Sequence, residues 1–151
     1  MEQIGIKRLD HICWVVWKLD DALPLLTDLF GMKVTARWHD EEEGFTGCAL
    51  AIPGAAPDQE GTHFELLAPV GDDSFLARFL RQRGPGLHHV TFEVTDIDRA
   101  AAAIRDYGLE PWGGVRRRAD GWTETFIHPK DSGGVLFQFY IEEHEARKSS
   151  K

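Results

Sequence analysis

The run Leu87-His88-His89-Val90-Thr91-Phe92-Glu93-Val94 has an earlier copy in the same chain, Leu9-Asp10-His11-Ile12-Cys13-Trp14-Val15-Val16. No other feature restricts the fold as strongly. His89 stands where His11 stands. Each copy runs into an acidic turn and a helix-forming segment, Leu19-Asp20-Asp21-Ala22 first and Ile97-Asp98-Arg99-Ala100 second, closed by Gly31 and Gly108. The likeness continues, because Gly44 to Leu50 lines up with Gly121 to Ile127, and Phe64-Glu65-Leu66 with Phe137-Gln138-Phe139. Each half therefore reads β-α-β-β-β. Such a half buries one sheet face under its helix and leaves the other to be completed. A single histidine in an apolar strand is usually a packed core residue, but two at repeat-equivalent places point to a metal between the halves.

Alternation sets the faces. In the first strand, about residues 9–16, Leu9, His11, Cys13 and Val15 share one face, and Trp14 and Val16 turn toward a helix. That helix is expected from Asp20 or Asp21 to Phe30, with Pro24 in its first turn. Strands follow at Met32 to Trp38, Phe45 to Ile52 and Thr62 to Ala68, the last placing His63, Glu65 and Leu67 together. A linking helix is expected at about residues 74–83. The second module, about residues 86–142, repeats the plan of the first, about residues 7–69. A polar tail, 143–151, ends the single domain. The expected class is α+β, two βαβββ modules forming a curved mixed sheet around a metal-centred cavity.

Composition narrows the function. A net charge of -8 argues against a nucleic-acid partner, which needs a basic footprint. No apolar run reaches the ~20 residues of a membrane span. The start lacks a signal-peptide layout. Cys13 and Cys48 lie in apolar strands and read as reduced thiols, so a cytoplasmic location is expected.

Several side chains carry candidate roles. Glu65 stands between Phe64 and Leu66, where an unpaired buried carboxylate would be costly, which favours a metal-ligand role. His63 shares its face as a neighbouring polar group or base, with surface packing as the other reading. Arg116, Arg117 and Lys130 are candidates for holding phosphates through charge-assisted bonds, or are solvated loop residues. Trp38, Phe45 and Trp122 line a pocket or fill the core.

The motifs Leu9-Asp10-His11-Ile12, Asp73-Ser74-Phe75-Leu76-Ala77-Arg78-Phe79-Leu80 with Gly86-Leu87-His88-His89-Val90, and His128-Pro129-Lys130-Asp131-Ser132-Gly133-Gly134-Val135-Leu136 resemble the vicinal oxygen chelate superfamily. Its members include glyoxalase I, extradiol dioxygenases and fosfomycin-resistance proteins, and the chain most resembles its methylmalonyl-CoA epimerase branch. The resemblance covers about residues 7 to 142. It implies one divalent metal (Co, Mn, Ni, Zn or Fe(II)) held by His11, Glu65, His89 and Gln138. It also implies a small-molecule substrate, an acyl-CoA in the epimerase branch, and a homodimer. The implied reaction removes and returns a proton next to a thioester or ketone carbonyl, with the metal polarising that carbonyl.

Two positions depart from the epimerase pattern. The second-half oxygen ligand, there a glutamate, is Gln138. The extra glutamate of the third strand is replaced by Gly47, a position that also belongs to the pocket-lining set. Glu65 and Glu124 occupy the repeat-equivalent places, so the two catalytic carboxylates are expected to be transposed between the halves. The alternatives are a glyoxalase-like lyase, a non-haem Fe(II) dioxygenase using His11, His89 and Glu65 as a facial triad, or a metal-free small-molecule binding protein.

Overall fold

The computed structural model describes residues 1–56 and 61–143. In chain order the elements are β1 (Ile6–Val15), β2 (Lys33–Asp40), β3 (Phe45–Ala51), β4 (His63–Pro69), α1 (Phe75–Arg83), β5 (Gly86–Val94), α2 (Ile97–Tyr107), β6 (Trp112–Arg117), β7 (Trp122–Ile127) and β8 (Leu136–Glu142). Two compact units emerge, residues 11–88 and residues 1–10 with 89 onward, so β1 contributes to both. The polar tail beyond residue 143 and part of the expected Pro53 to Gly61 loop lie outside the described residues. No described helix is long and apolar enough to cross a membrane.

In the unit 11–88, β3 runs antiparallel between β2 and β4, and β1 pairs in parallel with β4. The expected alternation holds. Trp14, Val16, Cys48, Leu50, Phe64 and Leu66 face one way, against Ala22, Leu23 and Leu26. Cys13, Val15 and Leu67 face the other way and pack under Leu76 and Leu80 of α1. Each fully buried leucine stabilises the fold by roughly 1.5–3 kcal/mol. Helix α1 starts where Ser74 accepts a hydrogen bond from the Ala77 amide at 3.1 Å. It covers the face that carries Glu65, a placement the sequence left open.

The expected helix from Asp20 to Phe30 is not a regular α-helix. A 3-10 turn spans Leu19–Asp21, and a π-type turn spans Leu25–Leu29 with Pro24 at its cap. Two local causes act. Pro24 has no amide proton to donate to the preceding turn. The Thr27 hydroxyl donates to the Leu23 carbonyl at 2.9 Å, taking up the acceptor that an α-helical amide would use.

His88, at the end of this unit, packs edge-on to Phe79 with ring centroids 4.9 Å apart and contacts Phe75 at 5.8 Å. Burial, helped by Arg83, pushes its pKa down to about 4. The unfolded chain takes up this proton near pH 6.5 and the folded chain resists it. The stabilisation is therefore complete above pH 6.5 and fades as pH falls toward 4. Urea melts at pH 7.5 and pH 4.5 should differ by about 2 kcal/mol more in the wild type than in His88→Leu. Equal pH dependence in the two proteins would refute this contribution.

In the other unit, β8 lies between β5, its parallel partner, and β7, and β7 pairs antiparallel with β6. Asp96 caps α2 by accepting from the Arg99 amide at 2.9 Å, and Gly108 ends it at φ 101°. Ile97, Ala100 and Ile104 of α2 pack on Val94 and Phe139. The opposite sheet face is polar. Tyr140 donates to Asp10 at 2.7 Å, Arg8 pairs with Asp10 and Glu93, and Lys7 holds Glu93 at 2.8 Å. Burial alone would raise the Glu93 carboxyl, but the bonds from Lys7 and Arg8 outweigh it and hold it below its ordinary range. Mixed parallel and antiparallel strand pairing with few helices makes this an α+β protein, as the sequence predicts.

Candidate functional site

Strand register sets the donors in rows. In the unit 11–88, one row across the sheet is Cys13, Glu65, Ala49 and Ala36, and the next is Val15, Leu67, Gly47 and Trp38. In the other unit the matching rows are Thr91, Gln138, Phe126 and Trp112, then Glu93, Tyr140, Glu124 and Arg116. Glu65 and Gln138 therefore hold the same place in the two units, and so do Gly47 and Glu124. The sequence repeat survives as a repeat of cross-strand positions.

His11 and Glu65 come together within their unit. The His11 Nε2 lies 3.4 Å from a Glu65 oxygen, and both side chains are largely buried. His63 stacks on His11 with ring centroids 5.0 Å apart. Its Nδ1 donates to the Gly61 carbonyl at 2.9 Å, so in the neutral ring Nε2 is the acceptor nitrogen. Cys13 hydrogen-bonds Glu65. Burial first, and then the Glu65 charge, push the Cys13 thiol well above its ordinary range, so it stays a protonated donor. An imidazole nitrogen and a carboxylate oxygen this close, both with lone pairs to offer, fit a divalent cation.

The other unit supplies His89 and Gln138. His89 is half-buried on β5, two residues before Thr91 and on the same face. Thr91 donates to Gln138 Oε1 at 2.7 Å, and Gln138 Nε2 donates to Glu124 Oε2 at 2.7 Å. The amide is thus oriented with its nitrogen on the carboxylate, and its oxygen keeps a second lone pair for a metal. Glu124 is only 4% exposed and faces the same side as Gln138. Trp122 Nε1 donates to the same Glu124 oxygen at 2.7 Å, and its indole stacks on Tyr140 at 4.0 Å and 7°.

The remaining candidates fall in different places. Trp38 lies against Gly47, where an added Cβ would come within 2.5 Å of Leu67 and 2.8 Å of the indole. Phe45 packs edge-on to Phe75 at 6.1 Å. Arg117 is engaged by Asp98 and Glu143, each at 3.1 Å. Arg116 turns toward Glu124 at 3.8 Å. Lys130 is exposed on a 3-10 turn, Pro129–Asp131. Sequence reasoning missed Thr91 and Tyr140. Strand alternation could have found Thr91, which shares the His89 face.

Residues 10–126 match the model of the glyoxalase/bleomycin resistance protein/dioxygenase superfamily. The chain belongs to that superfamily. Its relatives include the mitochondrial methylmalonyl-CoA epimerase of Dictyostelium discoideum, 32% identical over 90% of this chain and 79% of the relative. The ethylmalonyl-CoA/methylmalonyl-CoA epimerase of Cereibacter sphaeroides is 31% identical over 88% of this chain and 96% of its own. Among solved structures, a Streptomyces coelicolor methylmalonyl-CoA epimerase variant in complex with 2-nitronate-propionyl-CoA superposes with a TM-score of 0.76. It is 33% identical, with 90% of this chain and 97% of that one covered.

Proposed function

We propose that the protein is a divalent-metal-dependent epimerase of a 2-substituted malonyl-CoA thioester, with its two glutamate bases transposed between the repeats. His11, Glu65, His89 and Gln138 would hold the metal, whose role when bound is to acidify the carbon-bound proton by polarising the adjacent carbonyl. Glu65 and Glu124 are the proton-carrying side chains, one removing the α-proton and the other returning it. Gln138 has no basicity to offer and serves as ligand only. A homodimer accompanies this reading, as the family resemblance implies.

The observation that carries the reading is Glu124. Glu124 is a buried carboxylate bonded to Gln138, in the layer where the other half has Gly47, which is where a second base beside the ligand set would stand. The names of the relatives supply the substrate class.

The test is α-proton exchange of methylmalonyl-CoA and ethylmalonyl-CoA in D2O, followed by NMR with Co(II) or Mn(II) added. Metal-dependent exchange by the wild type, lost in Glu65→Gln, is expected. A protein that binds metal yet exchanges neither substrate would overturn the epimerase reading.

A further inference from the structure

The matching rows of the two units place opposite chemistry at one position. Trp38 stands across from Gly47, and Arg116 stands across from Glu124. Where the carboxylate is absent, its cross-strand neighbours on the two sides are an indole and Leu67, which together fill the space. Where the carboxylate is present, its neighbour is a guanidinium. We propose that Arg116 is a positioning residue for Glu124, holding its Oε1 as the oxygen that loads and unloads the proton. This rests on the reading of Glu124 as a base.

The carboxylate contacts divide its two oxygens. Oε2 accepts from Trp122 and from Gln138, each at 2.7 Å. Oε1 is the oxygen turned to Arg116, at 3.8 Å. An oxygen already accepting two short bonds is a poor place for a new proton, whereas the other can take one in the open direction of its lone pairs. A carboxylate that is 4% exposed has lost most of its hydration, and the guanidinium on the Oε1 side offsets part of that loss. The 3.8 Å separation gives this charge without a tight bidentate clamp, which would cover both lone pairs of Oε1 and block the transfer. Arg116 is itself 49% exposed at its side chain, so it approaches from the solvent edge of the sheet. The neighbouring Arg117 is committed to Asp98 and Glu143, so the basic run divides its duties by strand alternation.

The test uses Arg116→Ala and Arg116→Lys in the full chain, with α-proton exchange in D2O and the 15N-resolved indole N–H signal of Trp122. Arg116→Ala should lower kcat by about 2- to 5-fold, the size of a lost ion pair whose cation is half exposed, with KM little changed. Added guanidinium should restore part of the loss, and Arg116→Lys should retain most of the rate. The Trp122 indole signal should shift in Arg116→Ala, because the carboxylate it donates to is no longer held. A raised KM with unchanged kcat would overturn the proposal in favour of phosphate holding. An unmoved Trp122 signal would overturn it irrespective of activity. If the wild type exchanges no substrate, the epimerase reading fails, and the Trp122 signal still decides whether Arg116 holds Glu124.

Discussion

Glu124→Gln is expected to slow α-proton exchange by about 10²- to 10⁴-fold, the usual contribution of a positioned acid–base group. Metal uptake should be unchanged. The replacement keeps the shape of the side chain and still presents an oxygen to the Trp122 indole and the Gln138 amide, both now at 2.7 Å from a Glu124 oxygen. What it removes is the ability to accept and return a proton. The comparison that matters is exchange by NMR against Mn(II) titration by calorimetry on the same preparation. Loss of exchange with intact metal affinity identifies Glu124 as a proton carrier. Full activity in this variant would leave Glu65 as the sole base, a one-base isomerisation. Loss of metal along with activity would recast Glu124 as an orienting partner of Gln138.

Gly47→Glu should be strongly destabilising, although it restores the residue expected there in an epimerase. The Cβ alone would come within 2.5 Å of Leu67 and 2.8 Å of the Trp38 indole. Overpacking of this kind costs about 1–3 kcal/mol, and burying an unpaired carboxylate adds roughly 1–3 kcal/mol more. For a chain of this size each kcal/mol lowers Tm by about 2–4 °C, so a fall of about 10 °C is expected. Thermal melts by circular dichroism would measure it. Trp38→Ala combined with Gly47→Glu should recover only part of the loss, because it clears the indole at 2.8 Å and leaves Leu67 at 2.5 Å. A single variant as stable as the wild type would mean that Trp38 swings aside at little cost, and the base position of that half would then be open to a glutamate.

Much of this was written in the chain itself. The repeat placed His11 with His89, Glu65 with Gln138 and Gly47 with Glu124, because strand period and helix punctuation are local properties that a sequence displays directly. The strands, the faces of Trp14, Val16, Phe64 and Leu66, the linking helix near residues 74–83 and the stop at Gly108 follow from the same local rules. The irregular turns from Leu19 to Leu29 did not follow, since one side-chain hydroxyl and one proline outweighed the helical pattern around them.

Tertiary structure decided three things that no local rule reaches. It turned Glu124 toward Gln138, where a slip of one residue would have turned it away. It filled the space beside Gly47 with Leu67 and the Trp38 indole, a question of volume between strands and not of sequence spacing. It laid α1 over the face carrying Glu65 and set Tyr140 against Asp10, 130 residues away in the chain. Which residues alternate is fixed one strand at a time. Which of them meet depends on register and packing between strands, and those are properties of the assembled sheet.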